Sequence, residues 1–204
     1  MNTMVLCKGL APPQSLFERT LHWADFFIAA DGGANTARLM GHLPDVVIGD
    51  MDTYQPQNEE PYDIIHDPDQ YSNDLEKALK LAVKKGATHL KVLGATGLRL
   101  DHTLKNLSVL QQFDEQFEQI TFLDAQGTTQ LLPRQFSTEI AIGTSVSLFP
   151  LSGKVTGITT DGLQYPLKDE CLENGVRDAT SNAVVKNPVT INHKKGDLLL
   201  FIVN

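Results

Sequence analysis

Cysteine is nearly missing from this chain: Cys7 and Cys171 are the two in 204 residues. They sit in different halves, so they form neither a metal pair nor a disulfide framework. Cys7 lies in an apolar stretch and is expected to be a buried thiol. Long apolar runs are also missing. The longest, Phe26–Ala30 and Leu198–Val203, fall far short of the ~20 residues a membrane span needs. Residues 1–10 lack a basic segment followed by a long apolar one, so no signal peptide is expected and the cytoplasm is the expected compartment. Positive charge is scarce: 17 Lys and Arg stand against 25 Asp and Glu, a net charge of -8. That balance argues against a nucleic-acid partner and against docking on an anionic membrane. Two phosphate-binding signatures are absent. Gly153-Lys154 is followed by Val155, so there is no G-x-x-x-x-G-K-[ST], and no G-x-G-x-x-G occurs. There is no His/Cys grouping with zinc spacing and no G-x-S-x-G elbow.

What is present is an ordinary globular composition, 41% hydrophobic and 21% charged, in a chain long enough for one large domain or two modest ones. Residues 1–130 repeat one pattern, a short apolar run ending in acids or glycines. Val5–Cys7 leads into Lys8-Gly9, Phe26–Ala30 into Asp31-Gly32-Gly33, Val46–Ile48 into Gly49-Asp50-Met51-Asp52, Ile64–Ile65 into His66-Asp67, Leu90–Leu93 into Gly94, and Ile120–Leu123 into Asp124. Runs without alternation read as strands buried on both faces. Interleaved with helices, they predict a mostly parallel, Rossmann-like α/β domain. Asn73 and Glu76 have capping-box spacing. Leu75, Ala78, Leu79 and Ala82 then share a helix face, and Gly86 stops it. A second helix is expected from Asp101, with Leu104, Leu107 and Leu110 along it. Residues 131–204 change character. Glu139–Ile142, Val146–Leu148, Val155–Thr159, Val184–Val185, Val189–Ile191 and Leu198–Val203 read as short strands between frequent glycines, a small all-β sandwich or barrel.

In an open α/β sheet, ligands bind beyond the carboxyl ends of the strands. Here those ends carry Asp31, Asp50, Asp52, Asp67 and Asp69. A single loop aspartate is as readily a turn-former, but several converging on one rim repel one another unless a cation compensates. Oxygen ligands of this kind suit Mg²⁺. Asp50 and Asp52, two apart in a segment read as extended, face one side and can hold one hydrated Mg²⁺ or two metals. Asp74 opens a helix, where it favours the dipole. Lys77 one turn on can pair with Asp74 or reach a phosphate. Gly94-Ala95-Thr96-Gly97-Leu98-Arg99 presents backbone N–H groups to an anion, and Arg99 adds a fork for phosphate oxygens. Asp101 and His102 follow at the next helix start. The residues alone therefore predict a Mg²⁺-dependent enzyme that binds a phosphate-bearing substrate.

The succession Ala30-Asp31-Gly32-Gly33-Ala34-Asn35, Gly49-Asp50-Met51-Asp52-Thr53, Asn73-Asp74-Leu75-Glu76-Lys77-Ala78-Leu79 and Gly94 to His102 resembles the thiamine pyrophosphokinase family. Gly162-Leu163-Gln164-Tyr165-Pro166-Leu167 and Thr180-Ser181-Asn182 extend the resemblance into the second domain. It implies transfer of diphosphate from ATP to the hydroxyl of thiamine, giving thiamine diphosphate and AMP. It implies ATP as co-substrate, Mg²⁺ as cofactor, and a homodimer with thiamine in a cleft between subunits. Carried over by position, Asp50, Asp52, Asp74 and Asp101 resemble the catalytic carboxylates, with Asp50, Asp52 and Asp74 as metal ligands. Thr96, Gly97 and Arg99 resemble phosphate contacts, beside Asp31, Lys77 and His102 as further nucleotide-site candidates. Ser181 and Asn182 resemble thiamine contacts. Asp74 and Asp101 both remain open as the base. Met51, Thr53 and Leu98 depart from the family pattern, which more often has Phe, Ser and a second Gly. Leu98 is the departure of consequence, since Gly permits backbone shapes that Leu avoids. Two rivals use the same residues: a Mg²⁺-dependent nucleotide phosphohydrolase, and a non-catalytic sensor of thiamine or nucleotide.

Overall fold

The computed structural model of the chain describes residues 1–58 and 60–204. It contains two compact units, Met1–Ala125 and Gln126–Asn204.

In the first unit, strands β1 (Asn2–Leu6), β2 (Phe26–Ala30), β3 (Val46–Gly49), β4 (Asp63–His66), β5 (His89–Leu93) and β6 (Gln119–Leu123) form a parallel sheet. Their order is β6-β5-β1-β2-β3-β4. All but the exposed edge strand β4 are largely buried, which is why they read as unbroken apolar runs. Helices α1 (Gln14–Trp23) and α2 (Gly33–Leu39) cover Met4, Leu6 and Phe27 through Phe17 and Ala37. Helix α3 (Asp74–Lys84) packs on β1, β2 and β3 and against α4 (Leu100–Phe113). The Asn73 side chain caps α3 by accepting from the Glu76 N–H at 3.0 Å. Leu75, Ala78, Leu79 and Ala82 are its buried face, as the spacing predicts. The face of α4 differs from expectation. Asn106, Val109, Leu110 and Phe113 are buried, while Leu104 is 59% exposed.

The strand order reverses between β1 and β5: the chain builds outward from β1 through β4, then returns to add β5 and β6 on the other side. Crevices at such a switch point are where open α/β sheets bind ligands.

The second unit is an antiparallel sandwich. One sheet has the order β12-β9-β14-β7, from Ala179–Ala183, Ser145–Pro150, Leu198–Val203 and Gly127–Leu131. The other is β11-β10-β13-β8, from Glu170–Glu173, Lys154–Asp161, Val189–Asn192 and Gln135–Thr138. Val146, Leu148, Leu198 and Leu200 of the first meet Val155, Ile158, Leu172 and Ile191 of the second in one core. Glu139–Ile142 is not a strand; β8 ends just before it. Thr180-Ser181-Asn182 lies in edge strand β12, bulged where it pairs with β9.

Candidate active site

Two loops, at the carboxyl ends of β2 and β3, bring the acids together. Carboxylate oxygens of Asp31, Asp50 and Asp52 all lie within 4.8 Å of one another. Asp31 is 2% exposed. Its Oδ2 accepts from the Thr53 hydroxyl and, at 3.2 Å, from the Thr53 N–H; its Oδ1 accepts from the Tyr54 N–H at 3.2 Å. Asp50 accepts from the Asp52 N–H at 3.1 Å and from Gln70 at 3.2 Å. The Asp50–Asp52 segment is not extended as expected. Met51 takes a φ of 66°, and Asp31 a φ of 44°, so a tight bend rather than strand alternation aims the carboxylates at one point. Left-handed backbone at non-glycine residues costs on the order of 1–3 kcal/mol and concentrates at functional sites.

Gly49 gives the cluster its room. A Cβ there would lie 2.6 Å from Asp31 Cβ and 3.0 Å from Asp74 Oδ1. Asp74 is thus beside the cluster, although it is not one of the three convergent ligands. Burial, then the charge of Asp31, pushes the Asp74 carboxyl up to about 6, with Lys77 opposing and Asp50 adding to the rise. Lys77 is 1% exposed and sits 3.6 Å from Asp74. Asp52 is also raised, by desolvation and then by Asp50 and Asp31, with Lys8 opposing. Asp50 is lowered, chiefly by the N–H of Asp52. Asp67 and Asp69 take the bland role: they accept from backbone N–H groups two residues ahead and shape the turn before α3.

A cavity of about 420 Å³ opens at the switch point. Lys8 and Gly9 line it from the end of β1, Asp52 and Asp74 from the acid cluster, and Gly97 and Arg99 from the loop after β5. The β1 and β5 loops are joined by hydrogen bonds, Gly9 N–H to Gly94 O at 2.8 Å and Leu10 N–H to Thr96 O at 3.1 Å. Leu98 holds a φ of 55° and is 74% exposed. Thr96 turns its hydroxyl to Asp124 at 2.6 Å rather than into the cavity. Arg99 and Asp101 are both exposed and form a two-pronged pair, Nη2 to Oδ2 at 2.5 Å and Nε to Oδ1 at 3.1 Å. His102 lines the cavity.

Sequence reasoning missed Lys8, Thr53 and Asn106 as parts of this site. Asn106 is buried, donates to Ala95 O at 2.7 Å and accepts from Asn73 at 2.8 Å. It ties the glycine loop to the cap of α3. A polar residue on a helix gives no sign of this. Lys8 had one, since it follows an apolar strand run as Asp31 and Asp50 do.

In the second unit Asn182 is 6% exposed. Its Oδ1 accepts from the Tyr165 and Ala183 N–H groups, and its Nδ2 donates to Tyr165 O at 2.8 Å. It holds the Tyr165 loop. Ser181 and Tyr165 are exposed; Ser181 has a φ of 58°.

Residues 17–122 match the family model for the thiamin pyrophosphokinase catalytic domain, and residues 134–198 the thiamin pyrophosphokinase vitamin B1 binding domain. Thiamine pyrophosphokinase 1 of Oryza sativa subsp. japonica is 30% identical over 80% of this chain and 74% of its own length. The thiamine pyrophosphokinase of Bacillus subtilis is 26% identical over 98% of both chains. The fold matches a crystal structure of the Bacillus subtilis enzyme, with TM-score 0.87 at 23% identity over 100% of this chain and 99% of that one. It also matches thiamin pyrophosphokinase from Candida albicans, with TM-score 0.86 at 17% identity over 100% and 89%. Both family domains, in order along the chain, place it in the thiamin pyrophosphokinase family, whose reaction is ATP-dependent synthesis of thiamine diphosphate.

Proposed function

We propose that the switch-point cavity receives the triphosphate of ATP, and that Asp31, Asp50 and Asp52 hold the Mg²⁺ that accompanies it. The convergence of these three carboxylates carries the reading. The donor set is oxygen only, which fits Mg²⁺. Bound there, Mg²⁺ would offset charge on phosphate oxygens. This ligand set takes Asp31 in place of Asp74. Asp74 is then free to accept the proton of the thiamine hydroxyl as that oxygen attacks the β-phosphorus and AMP leaves. A carboxyl raised to about 6 is a better acceptor near neutral pH than an ordinary aspartate. Lys77 beneath it fixes its position. Asp101, tied to exposed Arg99, is the weaker candidate for the base. Arg99, Gly97 and His102 remain candidates for phosphate contact. Such transfers need positioning and charge neutralisation more than covalent chemistry.

Ser181 and Tyr165 are the proposed thiamine contacts in the second unit, with Asn182 acting through Tyr165. A homodimer with thiamine between subunits is the proposed assembly. Leu10, Leu98, Leu100 and Leu104 support it, since they expose apolar surface on the first unit, Leu98 at the cavity itself, that a partner would cover. The cytoplasm is the proposed compartment. Two free cysteines fit it, and among the described residues no helix is long and apolar enough to cross a membrane.

The test is incubation of purified protein with ATP, Mg²⁺ and thiamine, following AMP and thiamine diphosphate by chromatography. Equal amounts of both, formed only with thiamine, are expected. ATP breakdown without thiamine would favour a phosphohydrolase on the same rim, and binding without turnover a sensor.

A further inference from the structure

We propose that Lys8 is a nucleotide-binding residue whose ammonium contacts the polyphosphate of ATP at the end of β1. This rests on the reading of the cavity as the nucleotide site.

Three observations carry it. First, Lys8 stands on one side of the strand-order reversal, directly after β1, and lines the cavity together with the loop that follows β5. Second, although Lys8 is an exposed residue, its stem lies over Gly32 beside the acid cluster. Lys8 Cδ and Cγ lie 2.5 and 3.1 Å from where a Cβ on Gly32 would sit, and Thr53 Oγ1 lies 2.6 Å from the same point. Gly32, immediately after Asp31, therefore makes the channel in which the Lys8 stem lies. The Lys8 charge is felt at Asp52. Third, its ammonium is uncommitted. Arg99 is taken by Asp101 and Lys77 by Asp74, whereas Lys8 forms no ion pair with any described residue.

The electrostatics favour a role in binding. Asp31, Asp50, Asp52 and Asp74 crowd one side of the site, and a triphosphate brings further negative charge to it. A divalent cation held by three carboxylates is already neutralised by them, so attraction for the polyanion needs a protein cation as well. Lys8 is the cavity-lining cation in position to give it without first breaking an ion pair. A lysine acts on phosphate as a mobile point charge, which suits a side chain that must follow a phosphate through the reaction.

The test compares wild type, Lys8→Met and Lys8→Arg as full chains. ATP and AMP binding are measured by calorimetry in Mg²⁺, with steady-state constants for ATP and thiamine alongside. Lys8→Met is expected to weaken ATP binding about 10-fold or more, the scale of a lost charge-assisted hydrogen bond. AMP binding should fall much less, and the KM for thiamine and the Tm should stay unchanged. Lys8→Arg should recover most of the ATP affinity. Unaltered ATP binding in Lys8→Met, or equal losses for ATP and AMP, overturns the proposal. So does a change in Mg²⁺ affinity without nucleotide while the ATP/AMP ratio is kept, because Lys8 then serves the acid cluster alone. A wild-type chain that binds ATP but makes no thiamine diphosphate overturns the functional reading and leaves the Lys8 comparison decisive; one that binds no ATP overturns both.

Discussion

Thr53 gives both its backbone N–H and its hydroxyl to one oxygen of Asp31, so the loop after β3 is fastened to the loop after β2 through a buried carboxylate. Asp52 precedes Thr53, and its distance from Asp31 is set by this clasp. Thr53→Val removes the hydroxyl and keeps the shape. A hydrogen bond to a charged group contributes about 1.5–3 kcal/mol. The variant is expected to lose stability on that scale in urea unfolding. It should also need several-fold more Mg²⁺ for half-maximal rate, and Thr53→Ser should restore both. An unchanged Mg²⁺ requirement would break the link between the clasp and the metal site.

Asp52→Asn keeps the volume of the side chain and removes a proposed ligand. It is expected to lower kcat by about 10²-fold or more, the scale of disrupting a metal site. Asp101→Asn, on an exposed residue already paired to Arg99, should cost far less. A near wild-type rate for Asp52→Asn at saturating Mg²⁺ takes Asp52 out of the ligand set.

The first unit was legible because its strands are buried on both faces, and a doubly buried strand announces itself as an apolar run. The acids at the strand ends followed from that register. What sequence could not give was geometry that depends on backbone bends. Asp50 and Asp52 converge through the positive φ of Met51, not through strand alternation, and Asp31 joins them through Gly49 and Thr53. The face of α4 was read only in part: Leu110 is buried as expected, but Leu104 is exposed while Asn106 is buried as a tether. In the second unit, Ala179–Ala183 carries no apolar alternation, since it is a bulged edge strand. Its Ser and Asn resemble a turn to any reading based on composition.

Leu98 departs from the family pattern at a position where its φ is 55°. A left-handed L-residue costs about 1–2 kcal/mol. Leu98→Gly relieves that cost but gains unfolded-state entropy that offsets about 0.4–1 kcal/mol. Its stability is expected to match or slightly exceed wild type. Leu98→Val, β-branched at the same φ, should lose on the order of 1 kcal/mol. Equal stability for the Gly and Val variants in urea unfolding would show that the loop carries no such strain.

Asn182 satisfies both backbone groups of Tyr165 while being itself nearly buried. Asn182→Ala strands those groups, at a cost of about 1–3 kcal/mol. Because the Tyr165 loop is a proposed thiamine contact, the KM for thiamine should rise while the KM for ATP stays fixed. A parallel rise in both would mean general loosening rather than loss of a placed loop.

Asp74 sets stability against function. Its carboxyl rises from an ordinary 3.8 to about 6 because burial and the charge of Asp31 outweigh Lys77. A raised carboxyl means that the native chain binds the proton more tightly than the unfolded one. Stability from this group is therefore greatest below about 3.8 and is lost as pH rises through about 6. At neutral pH the charged Asp74 is a net burden on the metal-free fold, and removing its charge relieves it. Asp74→Asn is thus expected to raise the Tm in EDTA at pH 7–8, with the difference from wild type closing toward pH 4. The same variant should lose about 10²-fold or more in kcat if Asp74 takes the hydroxyl proton. A lower Tm at pH 7–8 would mean that pairing with Lys77 dominates after all, and full activity would pass the proton to Asp101.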